Sequence, residues 1–556
     1  MYVSAPWLAQ YENIPPAISY PDHSMFAQLK QAGQTTPNAC AHTFYGKKTS
    51  YKQFLRRVEQ SAKGLMALGI TDGDRVTICM PNMPQALECF YALNRLGAVA
   101  NMAHPLCAPE ELRFYLENSG SKLVLTLDLL FDKAFEATQR LKYPCTVLTA
   151  GVRHALPITK QLLFSAPKLP LSGHIPWEQV LKLGKGKRLP ADTGRSKDPA
   201  AILYSGGTTG KSKGVILSNG NFNALALQTA ACCGFTELSR KKMLSLLPIF
   251  HGFGLGVGIH APLSVGASCI LISRFQKKEF LQILKKEKPH MIPGVPALFE
   301  AMLALPGLKK KDLSFLMGLY CGGDTLSPEL KNRFDAFLQQ HNCPEQLRQG
   351  YGLTECTGAT CLMPRHAQRP GSVGIPLPDT FYGIFTPGTQ RPLPPGAEGE
   401  ICISGPTVML GYLNEPEETK KALQQHPDGR IWLHTGDLGH MDEEGFLYFH
   451  QRQNRMILCN GYNIYPNQIE DILTAHEAVQ KACVVGIPHP VRGQLVKACI
   501  ILEKGILPDE ATRQAILTHC ARHIAAYAIP KKLVFIQDFP QTTLGKMDYR
   551  ALEEER

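Results

Sequence analysis

Two textures alternate between about residues 40 and 300. Short apolar or β-branched runs recur at RVTICM (75–80), AVANMA (98–103) and KLVLTL (122–127). Between them lie PQALECFYALNRLG (84–97) and PEELRFYLENSG (109–120), with apolar residues at helical spacing and a closing glycine that stops a helix. Strand, helix, strand, helix in sequence predicts an α/β fold built on parallel, doubly wound sheets. Residues 150–199, rich in Lys, Pro and Gly, break this rhythm and read as an irregular surface excursion. Within it VRHALPITKQLLF is basic and apolar together, a composition suited to peripheral contact with a membrane. Pro157 interrupts that segment, so a partly buried loop is expected instead. Residues 244–273 carry no Asp, Glu, Lys or Arg, a run longer than the ~20 residues of a membrane-spanning helix. Pro248, Pro262 and five glycines would break such a helix, so a buried strand–loop–helix–strand is expected there. From about 380, the short strands GIF, GEICISG and GFLYFH between turns predict a small antiparallel, barrel-like part. A last change of texture near Arg452 predicts a domain boundary. Residues 1–451 would form a large N-terminal domain and 452–556 a small, mobile α+β domain.

The composition is 44% hydrophobic and 19% charged, which excludes collagen, a coiled coil and a mainly disordered chain. The net charge of +12 suits anionic ligands such as nucleotides, or a membrane surface. The basic residues are diffuse, so nucleic acid is not an expected partner. The 17 cysteines scatter without a CxxC pair or metal-ligand spacing, and read as free thiols in a reducing, cytoplasmic compartment. The opening stretch MYVSAPWLAQYENIPPAIS has no basic region followed by an apolar core, so no signal peptide is expected.

The chemistry centres on YSGGTTGKSKGV (204–215), which follows the strand-like AAIL. Its glycines let backbone approach a ligand, and its hydroxyl and ammonium groups suit a polyphosphate. One reading is a Walker A loop with Ser205 in place of the first glycine, Lys211 on the phosphates and Ser212 on Mg²⁺. Such a loop must run straight into a helix. Here Gly214 and VILS predict a strand, with the helix starting only near Asn221. The loop resembles instead the signature [ST][SG]GTTGxPKG of the adenylate-forming enzymes, the acyl-CoA synthetase superfamily. Ser212 stands where that signature has proline.

Further segments resemble the same family in order: LPIFHGFG (247–254), LYCGGDTL (319–326), GYGLTE (350–355), LHTGD (433–437), RMILCNGYNIYPNQIED (455–471) and TLGKMDYRAL (543–552). The likeness runs from about residue 40 to 552. GYNIYPNQIED and PTVMLGYLNEPEET (406–419) are most similar to medium- and long-chain fatty acyl-CoA synthetases.

The resemblance implies an ATP-dependent acid–thiol ligase. A carboxylate attacks the α-phosphate of ATP, pyrophosphate leaves, and the acyl-adenylate passes its acyl group to CoA with release of AMP. It implies that Ser205, Gly206, Gly207, Thr208, Thr209, Gly210 and Lys213 bind ATP, with Thr208, Thr209 and Lys213 holding the departing β- and γ-phosphates. Gly322, Gly323 and Asp324 would line the adenine, with Tyr351 stacked on it beside Gly352. Thr354 would donate to the α-phosphate and Glu355 bind Mg²⁺. Asp437 would accept both ribose hydroxyls, assisted by Arg452. His251 would sit by the substrate carboxylate. Lys546 would bridge carboxylate and α-phosphate oxygens as charge develops. Asn454 occupies the hinge position, where Asp or Lys is usual, and Gly461 lies beside the CoA tunnel. Phe253, Gly254, Val257, Val295 and Phe299 are the acyl-pocket candidates, with Gly254, Gly256 and Gly258 leaving room for a chain. A fatty acid is the expected substrate. The alternatives are a fatty acyl-AMP ligase loading an acyl carrier protein, an aryl-CoA ligase, and a P-loop NTPase or non-catalytic nucleotide binder. Release of ADP rather than AMP would mark the NTPase.

Overall fold

The apolar runs are strands, and the segments between them helices, in a computed structural model. It describes residues 5–554 apart from 163, 165–166, 206–211, 234–240, 309–310, 453–456, 460–461, 465, 490–492, 525–527 and 542–546. Arg75–Cys79, Val99–Met102, Leu123–Leu127 and Thr146–Ala150 are parallel neighbours. Pro199–Ser205 continues the sheet, parallel to Val99–Met102. Helices Pro84–Arg95 and Pro109–Ser119 carry proline in their first turn, where the missing N–H breaks no helical bond. Gly120, at φ +63°, ends the second in the left-handed conformation that favours glycine.

Lys213–Ser218, His174–Pro176 and Gly411–Tyr412 complete this eight-stranded sheet. A nine-stranded sheet includes the parallel strands Cys40–Phe44, Ser268–Leu271, Lys242–Ser245, Met291–Gly294, Gly318–Cys321 and Leu347–Leu353. A core cluster packs Ile292, Phe299, Leu319 and Phe334 together, at roughly 1.5–3 kcal/mol of burial for each large side chain. Later in the chain the pairing turns antiparallel, with Leu423–Gln425 against the first residues of Ile431–Met441.

The uncharged stretch is strand Lys242–Ser245, a loop, the π-helix Phe253–His260, helix Ala261–Ser264 and strand Ser268–Leu271. Among the described residues no helix is long and apolar enough to cross a membrane. The π-helix ends on a buried polar relay. The Tyr91 hydroxyl meets His260 Nδ1 at 3.0 Å, and His260 Nε2 meets Asn223 Oδ1 at 2.9 Å. Asn223 Nδ2 donates to the carbonyl of His23, so Oδ1 must accept, and the His260 proton therefore sits on Nε2.

Residues 150–199 depart from the expected irregular excursion. His174–Pro176 is a strand parallel to Thr146–Ala150, and helix Trp177–Leu183 buries Trp177. The Trp177 indole N–H donates to Glu88, which pairs with Arg57. VRHALPITKQLLF is partly buried as expected, with Ala155 and Leu156 buried and Ile158 and Leu162 78% and 80% exposed, but it forms two short helices, Val152–Ala155 and Ile158–Gln161, in place of a loop.

The chain divides into two compact units. The first holds residues 1–382, 403–434 and 442–447, and the second holds 383–402, 435–441 and 448–556. Within the second, Val479–His489 and Gly493–Leu502 form a long hairpin, with Lys532–Phe535 parallel to the latter. Helices Pro466–Thr474 and Glu510–His523 close over it through Ile469, Leu473, Ile516 and Cys520.

Candidate active site

The phosphate-loop candidate joins two strands. Ser205, the last residue of Pro199–Ser205, lies opposite Lys213, the first of Lys213–Ser218, in antiparallel register. The next helix, Asn219–Cys232, starts only after the second strand, where Ser218 and Asn221 cap it reciprocally. A strand–loop–strand hairpin cannot aim a helix N-terminus at the phosphates, so the Walker A reading falls. Gly206, Gly207, Thr208, Thr209 and Gly210 lie outside the described residues.

Lys213 reaches into a small network of the first unit. Its Nζ is 2.5 Å from the Glu418 carboxylate and 5.0 Å from the centre of the Tyr412 ring. The Tyr412 hydroxyl donates to Glu355 Oε1 at 3.0 Å. Pairing of Gly411–Tyr412 with Ile216 and Val215 sets Tyr412 beside Lys213, and the Tyr412 backbone N–H donates to Thr419 Oγ1 at 2.9 Å. Hydrogen bonds from Lys213, then Lys421, hold the Glu418 carboxyl down at about 2. Burial, then Glu355, pushes the Tyr412 phenol well above its ordinary value. The phenol stays protonated and remains a donor to Glu355. Neither Tyr412 nor Glu418 was singled out from the sequence, although both lie in PTVMLGYLNEPEET.

Tyr351 and Gly352 flank an irregularity in the pairing of Leu347–Leu353 with Gly358–Leu362. A Cβ on Gly352 would fall 1.6 Å from the Gly358 carbonyl oxygen, so only glycine lets these strands close. Thr354 and Glu355 follow in a 3₁₀ turn ending at Thr357, itself at φ +64°. The Glu355 carboxylate, supported by a phenol, is a hard oxygen donor of the kind that could hold Mg²⁺.

The other predicted loops converge on this strand. A Cβ on Gly322 would meet the Gly350 carbonyl at 3.3 Å and the Phe253 ring at 3.5 Å, and one on Gly323 would meet Val295 at 3.7 Å. Asp324 is exposed, and its carboxylate accepts from the Thr325 N–H. Phe253 packs against the cluster holding Val257, Leu225, Cys232 and Leu377. Phe299 belongs instead to the core of the nine-stranded sheet, 5.0 Å from the Phe334 ring. The room expected at Gly254 and Gly256 is already filled. An added Cβ would lie 2.0 Å from the Pro248 carbonyl oxygen at Gly254 and 2.6 Å from the Leu225 side chain at Gly256, whereas Gly258 has only the Phe253 carbonyl at 3.8 Å. The His251 ring packs on Phe250 at 4.7 Å, and Phe250 on His104 at 4.5 Å.

Asp437 lies in the second unit, 2% exposed. Its N–H donates to Thr435 Oγ1 at 3.0 Å, and the preceding Gly436 N–H donates to Glu400. Arg452 ends the strand Leu447–Arg452. The Arg452 side chain, Asn454, Gly461 and Lys546 lie outside what the structure describes.

The chain matches the AMP-binding enzyme family over residues 29–413 and the AMP-binding enzyme C-terminal domain over 468–546. It is 34% identical to a long-chain-fatty-acid–CoA ligase of Bacillus subtilis, over 100% of this chain and 99% of that one. It is 30% identical to a feruloyl-CoA synthase of an Amycolatopsis species, over 92% and 95% respectively. Among solved structures, ATP-bound MatB from Rhodopseudomonas palustris is similar, with a TM-score of 0.82, 26% identity and coverage of 96% of this chain and 99% of that one.

Proposed function

Because the chain belongs to the AMP-binding enzyme family, an AMP-forming acid–thiol ligase family with ATP and CoA as substrates, we propose that its acid is a fatty acid. The observation that carries this is the end-to-end similarity to the Bacillus subtilis ligase. The apolar wall of Phe253, Val257 and Leu225 supports it, since such a surface suits an aliphatic chain.

In this reading the hairpin loop with Ser205 and Lys213 receives the β- and γ-phosphates. Tyr351 and Gly352, with Gly322, Gly323 and Asp324, form the adenine slot, and Thr354 donates to the α-phosphate. Glu355 holds Mg²⁺, which would neutralise phosphate charge, and Tyr412 aims that carboxylate. Asp437 and Arg452 take the ribose, and His251 meets the substrate carboxylate. The carboxylate then attacks the α-phosphorus, the bond to the β-phosphate oxygen breaks, and Lys546 stabilises the oxygens where charge builds. Residues 452–556 turn about Asn454 so that CoA enters past Gly461 and its thiolate displaces AMP.

An aryl acid is the second reading, favoured by the 30% identity to the feruloyl-CoA synthase. Mass spectrometry of products from Mg-ATP, CoA and acids from acetate to oleate, with benzoate and ferulate, separates the two. Acyl-CoA and AMP from long-chain acids is the expected result. Feruloyl-CoA alone would replace the proposal, and acyl-AMP without acyl-CoA would point to a carrier-protein acceptor.

A further inference from the structure

The turn that carries Phe250 and His251 starts at the carboxyl end of strand Lys242–Ser245, in the nine-stranded sheet. Its backbone is gripped from the eight-stranded sheet. Asn82 lies in the loop between strand Arg75–Cys79 and helix Pro84–Arg95, and is 2% exposed. Its Nδ2 donates to the carbonyls of Ser245 at 2.9 Å and Leu247 at 2.8 Å. Its Oδ1 accepts from the Ile249 N–H at 3.0 Å. Two carbonyls on one side and an N–H on the other leave a single orientation for the amide. The three partners are alternate residues, so this one side chain pairs with an edge of the chain much as a neighbouring strand would.

The adjacent loop of the same sheet adds a second hold. Strand Val99–Met102 runs parallel to Arg75–Cys79. His104, just after it, packs its ring on Phe250 at 4.5 Å. Within the turn, the His251 N–H donates to the Pro248 carbonyl at 3.2 Å, and the Leu255 N–H donates to the His251 carbonyl at 2.9 Å. The bonds of Asn82 to residues 245, 247 and 249 therefore fix the backbone from which the His251 side chain projects. None of its side-chain bonds goes to the segments that carry Lys213, Tyr351 or Glu355.

We infer that Asn82 is a positioning residue for the acid substrate, holding the turn so that His251 faces the substrate carboxylate. This rests on the reading that His251 meets that carboxylate. Asn82 acts through the turn and not by touching the substrate. Its loss falls on the acid and spares the nucleotide, because the turn is the only element that its amide holds.

The test is a double-mutant cycle in the full chain, with oleate varied at saturating Mg-ATP and CoA, or ferulate if the chain activates that acid instead. Asn82→Ala should lower kcat/KM for the acid by about 10²-fold, the loss expected when a reacting group is misplaced by about 1 Å. ATP binding, measured by calorimetry without acid, should match the parent. In a His251→Ala background the same substitution should cost little more, since the residue it positions is already gone. Asn82→Asp keeps the side-chain volume and the acceptor for Ile249 but offers Ser245 and Leu247 no donor. It should behave as Asn82→Ala does, and it replaces that variant where alanine prevents folding. Equal losses with and without His251, or ATP binding that weakens in parallel, would overturn the proposal and leave Asn82 a support of the fold. His251→Ala with parent kinetics would instead fail the reading of His251, on which the positioning role depends.

Discussion

Tyr412 serves two neighbours at once, its ring beneath Lys213 and its hydroxyl on Glu355. A hydrogen bond to a charged group contributes about 1.5–3 kcal/mol, and Glu355 is only partly buried. Tyr412→Phe should therefore lower kcat/KM for Mg-ATP by about tenfold, the low end of that range, with little change in melting temperature because the ring remains. Steady-state kinetics over Mg²⁺ concentration check it, and a loss equal at all Mg²⁺ levels would dissociate Tyr412 from the metal. Glu418 poses the opposite case. In the proposed reading Lys213 must leave Glu418 to reach a phosphate, and the pair is 22% and 31% exposed. Such pairs contribute about 0.2–1 kcal/mol, so Glu418→Gln should tighten ATP binding by at most about fivefold, whereas Lys213→Ala should weaken it. Calorimetry without acid measures both. Weaker ATP binding by Glu418→Gln would mean that Glu418 aims Lys213 and does not compete for it.

At the scale of elements, two buried histidines make stability depend on pH. His42, in strand Cys40–Phe44, is 2% exposed, and neither ring nitrogen has a hydrogen-bond partner. His260 closes the π-helix through Tyr91 and Asn223. Burial pushes both from 6.5 down to about 3. The unfolded chain binds these protons first, so stability is complete above pH 6.5 and is lost as pH falls from there toward 3, by up to ~1.4 kcal/mol per pH unit for each histidine. His42→Leu removes one of these slopes and two unsatisfied buried atoms. It should gain about 1 kcal/mol at pH 7 and more at pH ~5, while the slope due to His260 persists. Urea unfolding at the two pH values measures this, and an unchanged slope would mean that His42 takes up no proton on unfolding. The same elements show what was legible beforehand. The strand–helix alternation stood out because short continuous apolar runs differ plainly from segments with apolar residues at helical spacing, and glycines mark the stops. The strand after Gly214 followed from VILS. His174–Pro176 was too short to show any period. Lys213 and Glu418 lie 205 residues apart, so their pairing depends on the register of Gly411–Tyr412 against Lys213–Ser218, which no local pattern encodes.

At the scale of the whole molecule, the proposed reaction assigns its two halves to different demands on the second unit. Adenylation needs Lys546 where charge builds on the α-phosphate. Thioester formation needs only that the acyl-adenylate, already made, be open to CoA. One lysine can therefore matter greatly to the first half and little to the second. Lys546→Ala should slow acyl-AMP formation by ~10²–10³, the usual loss when one preorganised donor is removed. Supplied with synthetic acyl-AMP and CoA, the same variant should form acyl-CoA at close to the parent rate. A substitution at the hinge has the reverse signature, because turning gates only the second half. Asn454→Pro, which fixes φ near −65° and removes a backbone donor, should leave acyl-AMP formation largely intact and suppress its transfer to CoA. Single-turnover quenching of both variants separates the halves. If Lys546→Ala slowed both equally, the lysine would serve the fold of residues 452–556 and not the adenylation step. If Asn454→Pro left transfer untouched, CoA would reach the adenylate without any turning of that domain.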